Sequence, residues 1–362
     1  MKMGGALSLF FSRESGGAKR FAYIDALRGY AVLGVLLTHS AQGAGLDGGL
    51  PSVGARGVQL FFVISAITLT LSWHERDDSA GPFFIRRAFR ILPMFWLSIP
   101  IYFDASYDLH QVVGAAFLLQ GIRPEWIFGP IVPGGWSVCA EVAFYCLFPL
   151  IVLNITSLSR ALWLFAASLV ISRLWRTVGL DALPAIFPDA TPGQLWEFVY
   201  FTFPAQLPAF AAGISGYFLL PRFSKLSRGA LEITVLAAFA GMAWFAVYKQ
   251  ENIAAFAALF SIVAACMANG AGAYLVNRII GHVGRCSFSI YLLQWKGIAL
   301  ALPLAELCWP ALRPAVLFVV AAIISTALAT VTYFLVERPM IRLGNRLLRL
   351  EFLQASQMTR TM

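Results

Sequence analysis

Arg28 and His39 stand eleven residues apart in one apolar run. On a helix advancing about 100° per residue, they return to within about 20° of the same face, separated by about 16 Å along the axis. A cation at one end of a face and an imidazole at the other can hold an anionic group and take a proton from an alcohol near neutral pH. Asp25, three residues before Arg28, is placed to pair with it. Taken alone, His39 reads as a hydrogen-bonded core histidine. The arginine on its face turns the reading toward proton transfer, because charge inside an apolar span is costly and marks function.

Other polar groups interrupt apolar runs in the same way. Glu141 lies within Trp136-Ser137-Val-Cys-Ala-Glu141-Val-Ala-Phe-Tyr145, with Ser137 and Tyr145 four residues to either side on roughly its face. A carboxylate there must be paired, protonated or catalytic. Arg86, Arg87 and Arg90 form a cationic cluster at a helix start, with Arg86 and Arg90 on one face. They either anchor the helix at a membrane surface or hold phosphates through forked hydrogen bonds. Gln59 and Ser65 read as helix–helix hydrogen-bonding groups. The cluster Ser287, Ser289, Tyr291 and Gln294 suits a cavity wall. Five cysteines form no CxxC pair and read as small buried hydrophobes, so no metal site is expected.

The elements that carry these residues follow from composition. Of 362 residues, 59% are hydrophobic and 12% charged, against about 45–50% and about 25% in soluble domains. That excludes a soluble enzyme, a disordered chain and a secreted disulfide scaffold. A membrane-spanning helix needs about 20 mainly apolar residues. Ten stretches qualify: 22–40, 57–73, 88–103, 136–155, 161–176, 200–220, 229–248, 252–272, 286–303 and 313–335. The run 111–120 is too short to span and reads as re-entrant or interfacial. The fold class expected is an all-α integral membrane protein of about ten transmembrane helices plus that short helix, with no soluble domain. Residues 1–21 read as a cytoplasmic arm, 22–340 as the transmembrane domain and 341–362 as a basic tail. The polar stretch 177–199 reads as an outer loop, and Glu337-Arg338-Pro339 as the cytoplasmic end of the last span.

The net charge of +9 could indicate nucleic acid in a soluble protein; here it reads as basic loops on one membrane face. With the N-terminus inside and ten spans, 20 of the 27 Lys and Arg residues fall on the cytoplasmic side. Both termini are then cytoplasmic, and the tail, with Arg338, Arg342, Arg346 and Arg349 at helical spacing, lies on the inner leaflet. In this arrangement Glu141 and His39 both sit toward the outer side, where they could meet.

Taken in order, these segments resemble the membrane-bound acyltransferase-3 family, which includes bacterial O-antigen and exopolysaccharide O-acetylases and some macrolide acyltransferases. The resemblance rests on Asp25-x-x-Arg28-Gly29 with His39, Leu60-Phe61-Phe62-Val63-Ile64-Ser65, and Arg86-Arg87-x-x-Arg90-Ile-x-Pro93-x-x-Trp96. It continues through Trp136-Ser137-x-x-x-Glu141-x-x-Phe-Tyr145, Ser287-x-Ser289-Ile-Tyr291-Leu and Glu337-Arg338-Pro339. It implies ten spans in the bacterial inner membrane and transfer of an acyl group, most simply acetyl, from cytoplasmic acyl-CoA to a hydroxyl of an exported or cell-surface glycan or lipid-linked sugar. It further implies His39 as the base and Arg86, Arg87 and Arg90 as ligands of the CoA phosphates. Arg28 would hold the donor or orient the site, and Glu141 would position His39 or the acceptor. Asp25, Ser65, Trp136, Ser137, Tyr145, Ser289, Tyr291 and Gln294 would line the site. The partners implied are acyl-CoA, a saccharide acceptor and membrane lipid, with no permanently bound cofactor and no nucleic acid.

The chain departs from the family pattern where a histidine often follows Tyr-Leu; here that region offers Gln294. The second-span motif commonly ends Ser-Gly, but here it is Ser65-Ala66. The family's optional extracytoplasmic hydrolase-like domain is not expected after residue 340. Direct transfer and a two-step route through an acylated residue both fit the residues, as does an acceptor that is a small secondary metabolite. A transporter is the main competing class, since spans with internal charge suit one; a scaffold would leave Arg28, His39 and Glu141 without a purpose.

Overall fold

The computed structural model describes residues 22–46, 48–76, 79–129, 131–248 and 252–361, with side chains up to 350. The expected N-terminal arm lies outside the described residues. Among those described, all regular structure is helical. The helices are α1 (Ala22–Gly43), α2 (Leu50–Val53), α3 (Gly57–Arg76), α4 (Ala80–Tyr102), α5 (Leu109–Ala116), α6 (Gly135–Asn154), α7 (Leu158–Ile186) and α8 (Pro192–Phe201). They continue as α9 (Phe203–Phe223), α10 (Arg228–Tyr248), α11 (Ile253–Ala268), α12 (Arg278–Arg285), α13 (Ser287–Glu306), α14 (Arg313–Thr332) and α15 (Arg338–Thr361).

Seven helical stretches are long and apolar enough to cross a membrane unaided, and α11 is apolar but shorter. The remaining two expected spans, α1 and α4, are helices of 22 and 23 residues that carry the charged groups singled out above. The outer faces of α7, α10 and α14 expose apolar side chains such as Trp163, Val170, Ile233, Leu236 and Ile323. Lipid, not water, is the medium for so broad an apolar surface. The chain is a multi-pass membrane protein.

The helix α1 is a hub: it packs against α3, α12, α13 and α14. Its approach to α3 depends on Gly57, where a Cβ would stand 2.2 Å from the Ala31 carbonyl oxygen. Small residues at such crossings let backbones close to van der Waals distance, which lipid-embedded helices need because apolar burial does not drive them together. The same core extends to α9, which packs on α3, α7 and α11. The helix α3 touches both α1 and α9, and the candidate site opens along it.

Two expectations change. The stretch 177–199 is not a loop: α7 continues to Ile186, and Pro192 opens α8 behind a Thr191–Gln194 capping box. Polar residues on exposed turns do not end a helix when its backbone bonds continue unbroken. The last span does not end at Glu337. A π-turn over Tyr333–Glu337 carries α14 directly into α15, and Glu337 is only 1% exposed. The proline at 339 follows directly on the π-turn, where the regular i→i−4 ladder is already interrupted. The helix α15 runs on past residue 340. The short run at 111–120 overlaps α5, eight residues long and about 12 Å in length, too short to span.

Candidate active site

Three cavities follow one another along α1. The first, about 920 Å³, is walled by Asp25 and Arg28 of α1, Arg76 of α3, and Arg86, Arg87 and Arg90 of α4; Ile341 and Asn345 of α15 close it. The second, about 690 Å³, shares Arg28, Arg87 and Arg90 with the first and adds Ser65, Ser137, Glu141, Tyr145 and Tyr291. The third, about 1310 Å³, shares Val58 and Tyr291 with the second and contains His39, Gln42, Arg56, Trp136 and Trp295. Arg28 thus stands in the first two cavities and His39 in the third, at the two ends of a single helix face.

The arginine end is built by α4. Arg86 and Arg90 are one turn apart, and Arg87 turns inward to lie 5.9 Å from the centre of the Tyr145 ring. Its Nε is buried and makes no hydrogen bond among the described residues. A buried donor without an acceptor is costly in a resting protein and suits a site that receives an oxyanion. Asp25 carries a carboxylate oxygen 3.9 Å from Arg285 Nη1, so α12 is tied to this end of α1.

In the middle cavity, Ser65 Oγ and Tyr145 Oη each donate to Glu141 Oε1 at 2.5 Å. One carboxylate oxygen therefore joins α3 to α6 beside three arginines. Glu141→Gln preserves an acceptor for both hydroxyls, whereas Glu141→Ala leaves two partly buried donors unsatisfied, at about 1–3 kcal/mol each. The expected result is a clearly lower melting temperature for Glu141→Ala than for Glu141→Gln in detergent, read by intrinsic fluorescence; equal melting temperatures would remove this carboxylate from the structural account.

The passage between the second and third cavities is set by Gly134, whose φ of 79° lies in the left-handed region that favours glycine. A Cβ there would also stand 2.7 Å from Tyr291 Oη. Tyr291 Oη donates to the Gly134 carbonyl at 3.1 Å and accepts from Ser137 Oγ at 2.8 Å. These bonds fix the tyrosine as the partition between the two spaces.

His39 is half-buried. Its Nδ1 lies 2.9 Å from Gln42 Oε1, and its ring packs on Trp295 at 4.6 Å between centroids. With Nδ1–H donated to the amide oxygen, the lone pair resides on Nε2, the form a general base requires. Thr38, its neighbour, donates to the Pro51 carbonyl at 2.6 Å and staples this end of α1 to the turn before α3.

The structure brings together Arg28, Arg86, Arg87, Arg90 and Asp25 in one cavity, and Ser65, Ser137, Glu141, Tyr145 and Tyr291 in the next. Trp136 lies with His39. Glu141 does not meet His39. It stands six residues into α6, about 9 Å beyond Gly135, at the level of Arg28, and its hydrogen bonds go to Ser65 and Tyr145. Ser289 does not line the site either. It is two residues before Tyr291, hence on the opposite face of α13, and its hydroxyl donates to Glu337. Gln294 is buried beside the site and donates to the Tyr291 carbonyl of its own helix at 3.0 Å. The wall positions of α13 are instead Ser287, Phe288, Tyr291 and Trp295, which share one face.

Sequence reasoning missed Gln42, Trp295, Arg56 and the burial of Glu337. The first two were detectable as the residues three after His39 and four after Tyr291. Arg56 passed as a loop charge, and Glu337 as a helix end.

The bundle thus places an arginine-walled cavity and a histidine-bearing cavity along one membrane-embedded helix. The family profile described as acyltransferase domain matches residues 21–335, and the chain belongs to this acyltransferase-3 family; it is an acyltransferase. It is similar to the exopolysaccharide production protein ExoZ of Rhizobium meliloti, with 26% identity over 331 residues, covering 85% of this chain and 95% of that one. It is also similar to the acyltransferase MdmB of Streptomyces mycarofaciens, with 25% identity over 311 residues, 77% of this chain and 79% of that one. The peptidoglycan O-acetyltransferase OatA of Listeria monocytogenes is 23% identical over 364 residues, which cover 89% of this chain and 56% of that longer protein. No solved structure matches.

Proposed function

We propose that this acyltransferase moves an acyl group, most simply acetyl, from cytoplasmic acyl-CoA to a hydroxyl of an exported or cell-surface bacterial glycan or lipid-linked sugar. The observation that carries the reading is the run of three cavities with shared walls, leading from five arginines to His39. The donor's phosphates sit among Arg28, Arg86, Arg87 and Arg90, whose guanidinium forks match phosphate oxygens. Its slender amide-bearing arm runs past Ser65, Tyr145 and Tyr291, and its thioester reaches the third cavity.

There His39 Nε2 takes the proton of the acceptor hydroxyl, and the oxygen attacks the thioester carbonyl carbon. The tetrahedral adduct collapses, the C–S bond breaks, and the CoA sulfur leaves with the proton returned from the imidazolium. Direct transfer suits the geometry better than an acyl-enzyme, because no serine or cysteine lies within hydrogen-bond reach of His39 among its described contacts. The arginine end faces the cytoplasm of a bacterial inner membrane, with the basic tail beyond residue 341 on the inner leaflet and residues 22–340 forming the transferase unit. The name of OatA, a peptidoglycan O-acetyltransferase, supports a glycan acceptor.

The test is a mass-spectrometric comparison of envelope and exported glycans from wild-type and deletion strains. The expected result is loss of one acyl increment, whose mass also names the acyl chain. Identical glycan spectra would overturn the reading.

A further inference from the structure

The walls of the His39 cavity contain a group that acyl transfer itself does not use. Among the described residues that line it, Arg56 is the one side chain of fixed charge and none is a carboxylate. Its Nη1 donates to Tyr200 Oη at 2.7 Å, and its guanidinium carbon lies 5.7 Å from the centre of the Phe256 ring. Tyr200 is 7% exposed and stacks on Trp196 at 5.1 Å between centroids, with 10° between planes. The cation is therefore held on a braced aromatic post, with N–H donors to spare. Trp136 and Trp295 supply further aromatic faces to the same space. The turn that bears Arg56 is fixed to α1 at Gly57, the next residue.

A pyranose ring has C–H faces that pack on aromatic rings, and a carboxylate or phosphate matches the guanidinium fork. A neutral ligand would cover Arg56 and strip its water without giving it a counter-charge, which is unfavourable. We propose that the His39 cavity is the binding site of an anionic sugar, its ring against the tryptophans, its carboxylate or phosphate on Arg56. It rests on the acyl-transfer reading only in directing the reacting hydroxyl to His39; binding itself stands apart from catalysis.

Trp136, Trp196 and Trp295 make occupancy readable by intrinsic fluorescence in the purified full chain. Three probes separate the possibilities: a methyl hexuronide, a hexose 1-phosphate and a neutral methyl hexoside. At least one anionic probe is expected to bind about tenfold or more tightly than the neutral one, and the stronger of the two identifies the source of the charge. Arg56→Gln is expected to abolish that advantage while leaving the neutral sugar's affinity unchanged. Tyr200→Phe, which keeps the charge but removes its post, weakens anion binding by a smaller factor in the same direction. Equal binding of neutral and anionic probes, or a preference that survives Arg56→Gln, would overturn the proposal. Anion binding that depends on Arg56 in a protein that transfers no acyl group would support this site while sinking the acyl-transfer reading.

Discussion

His39→Ala lowers acyl transfer by about 10²–10⁴-fold, the contribution of a positioned general base, and leaves the affinity for the thioester donor within a few-fold of wild type. The split follows from distance. The imidazole stands in the third cavity, and the arginines proposed to receive the donor line the first and second. The variant also loses a ring contact with Trp295, so a gentler companion is needed. Gln42→Leu keeps the imidazole but removes the acceptor at Nδ1. It is expected to reduce turnover by a smaller factor, because the tautomer with its lone pair on Nε2 is no longer favoured. Steady-state kinetics with a thioester donor checks both. Wild-type turnover in His39→Ala would remove the residue from the chemistry.

The second large effect lies at the other end of the face. Arg90→Gln raises KM for acyl-CoA by about tenfold to a hundredfold, with kcat within a few-fold. Arg90 is shared by the first two cavities, so its guanidinium is placed to stay on the donor's phosphates as the arm threads inward. Charge-assisted hydrogen bonds of this kind contribute about 1.5–3 kcal/mol. Arg90→Lys keeps the charge but not the fork, and recovers only part of the loss. Donor titration at several salt concentrations is the check. An unchanged KM in Arg90→Gln would place the phosphates elsewhere. A fall confined to kcat would assign Arg90 to the reaction rather than to binding.

Much of this arrangement is legible in the amino-acid sequence because helical periodicity is strict in lipid. Backbone groups have no water to turn to, so an apolar run of sufficient length is a helix, and its internal charges share a face or do not. That is why Arg28 and His39 could be placed on one face of α1, and Arg86 and Arg90 on one face of α4. The helix–helix level was less accessible. Nothing within residues 136–145 tells how deep α6 sits against α1, so Glu141 was set at the level of His39 when it belongs with Arg28. Ser289 shows the reverse fault. Its spacing from Tyr291 excluded a common face, but a polar cluster on one short segment was read as one wall. Glu337 escaped because a charge beside a proline ordinarily ends a helix, and a π-turn is a tertiary solution with no local signature. Arg56 was hidden by its position in a turn, where a lone cation carries no periodic information.

On the proposed function, one chain connects a donor on one membrane face to an acceptor on the other. Proteoliposomes supplied with radiolabelled acyl-CoA on one side only, and with a membrane-impermeant saccharide acceptor on the other side only, measure this directly. The expected result is label on the acceptor across the bilayer, absent with His39→Ala protein. Label that appears only when donor and acceptor share a compartment would contradict it.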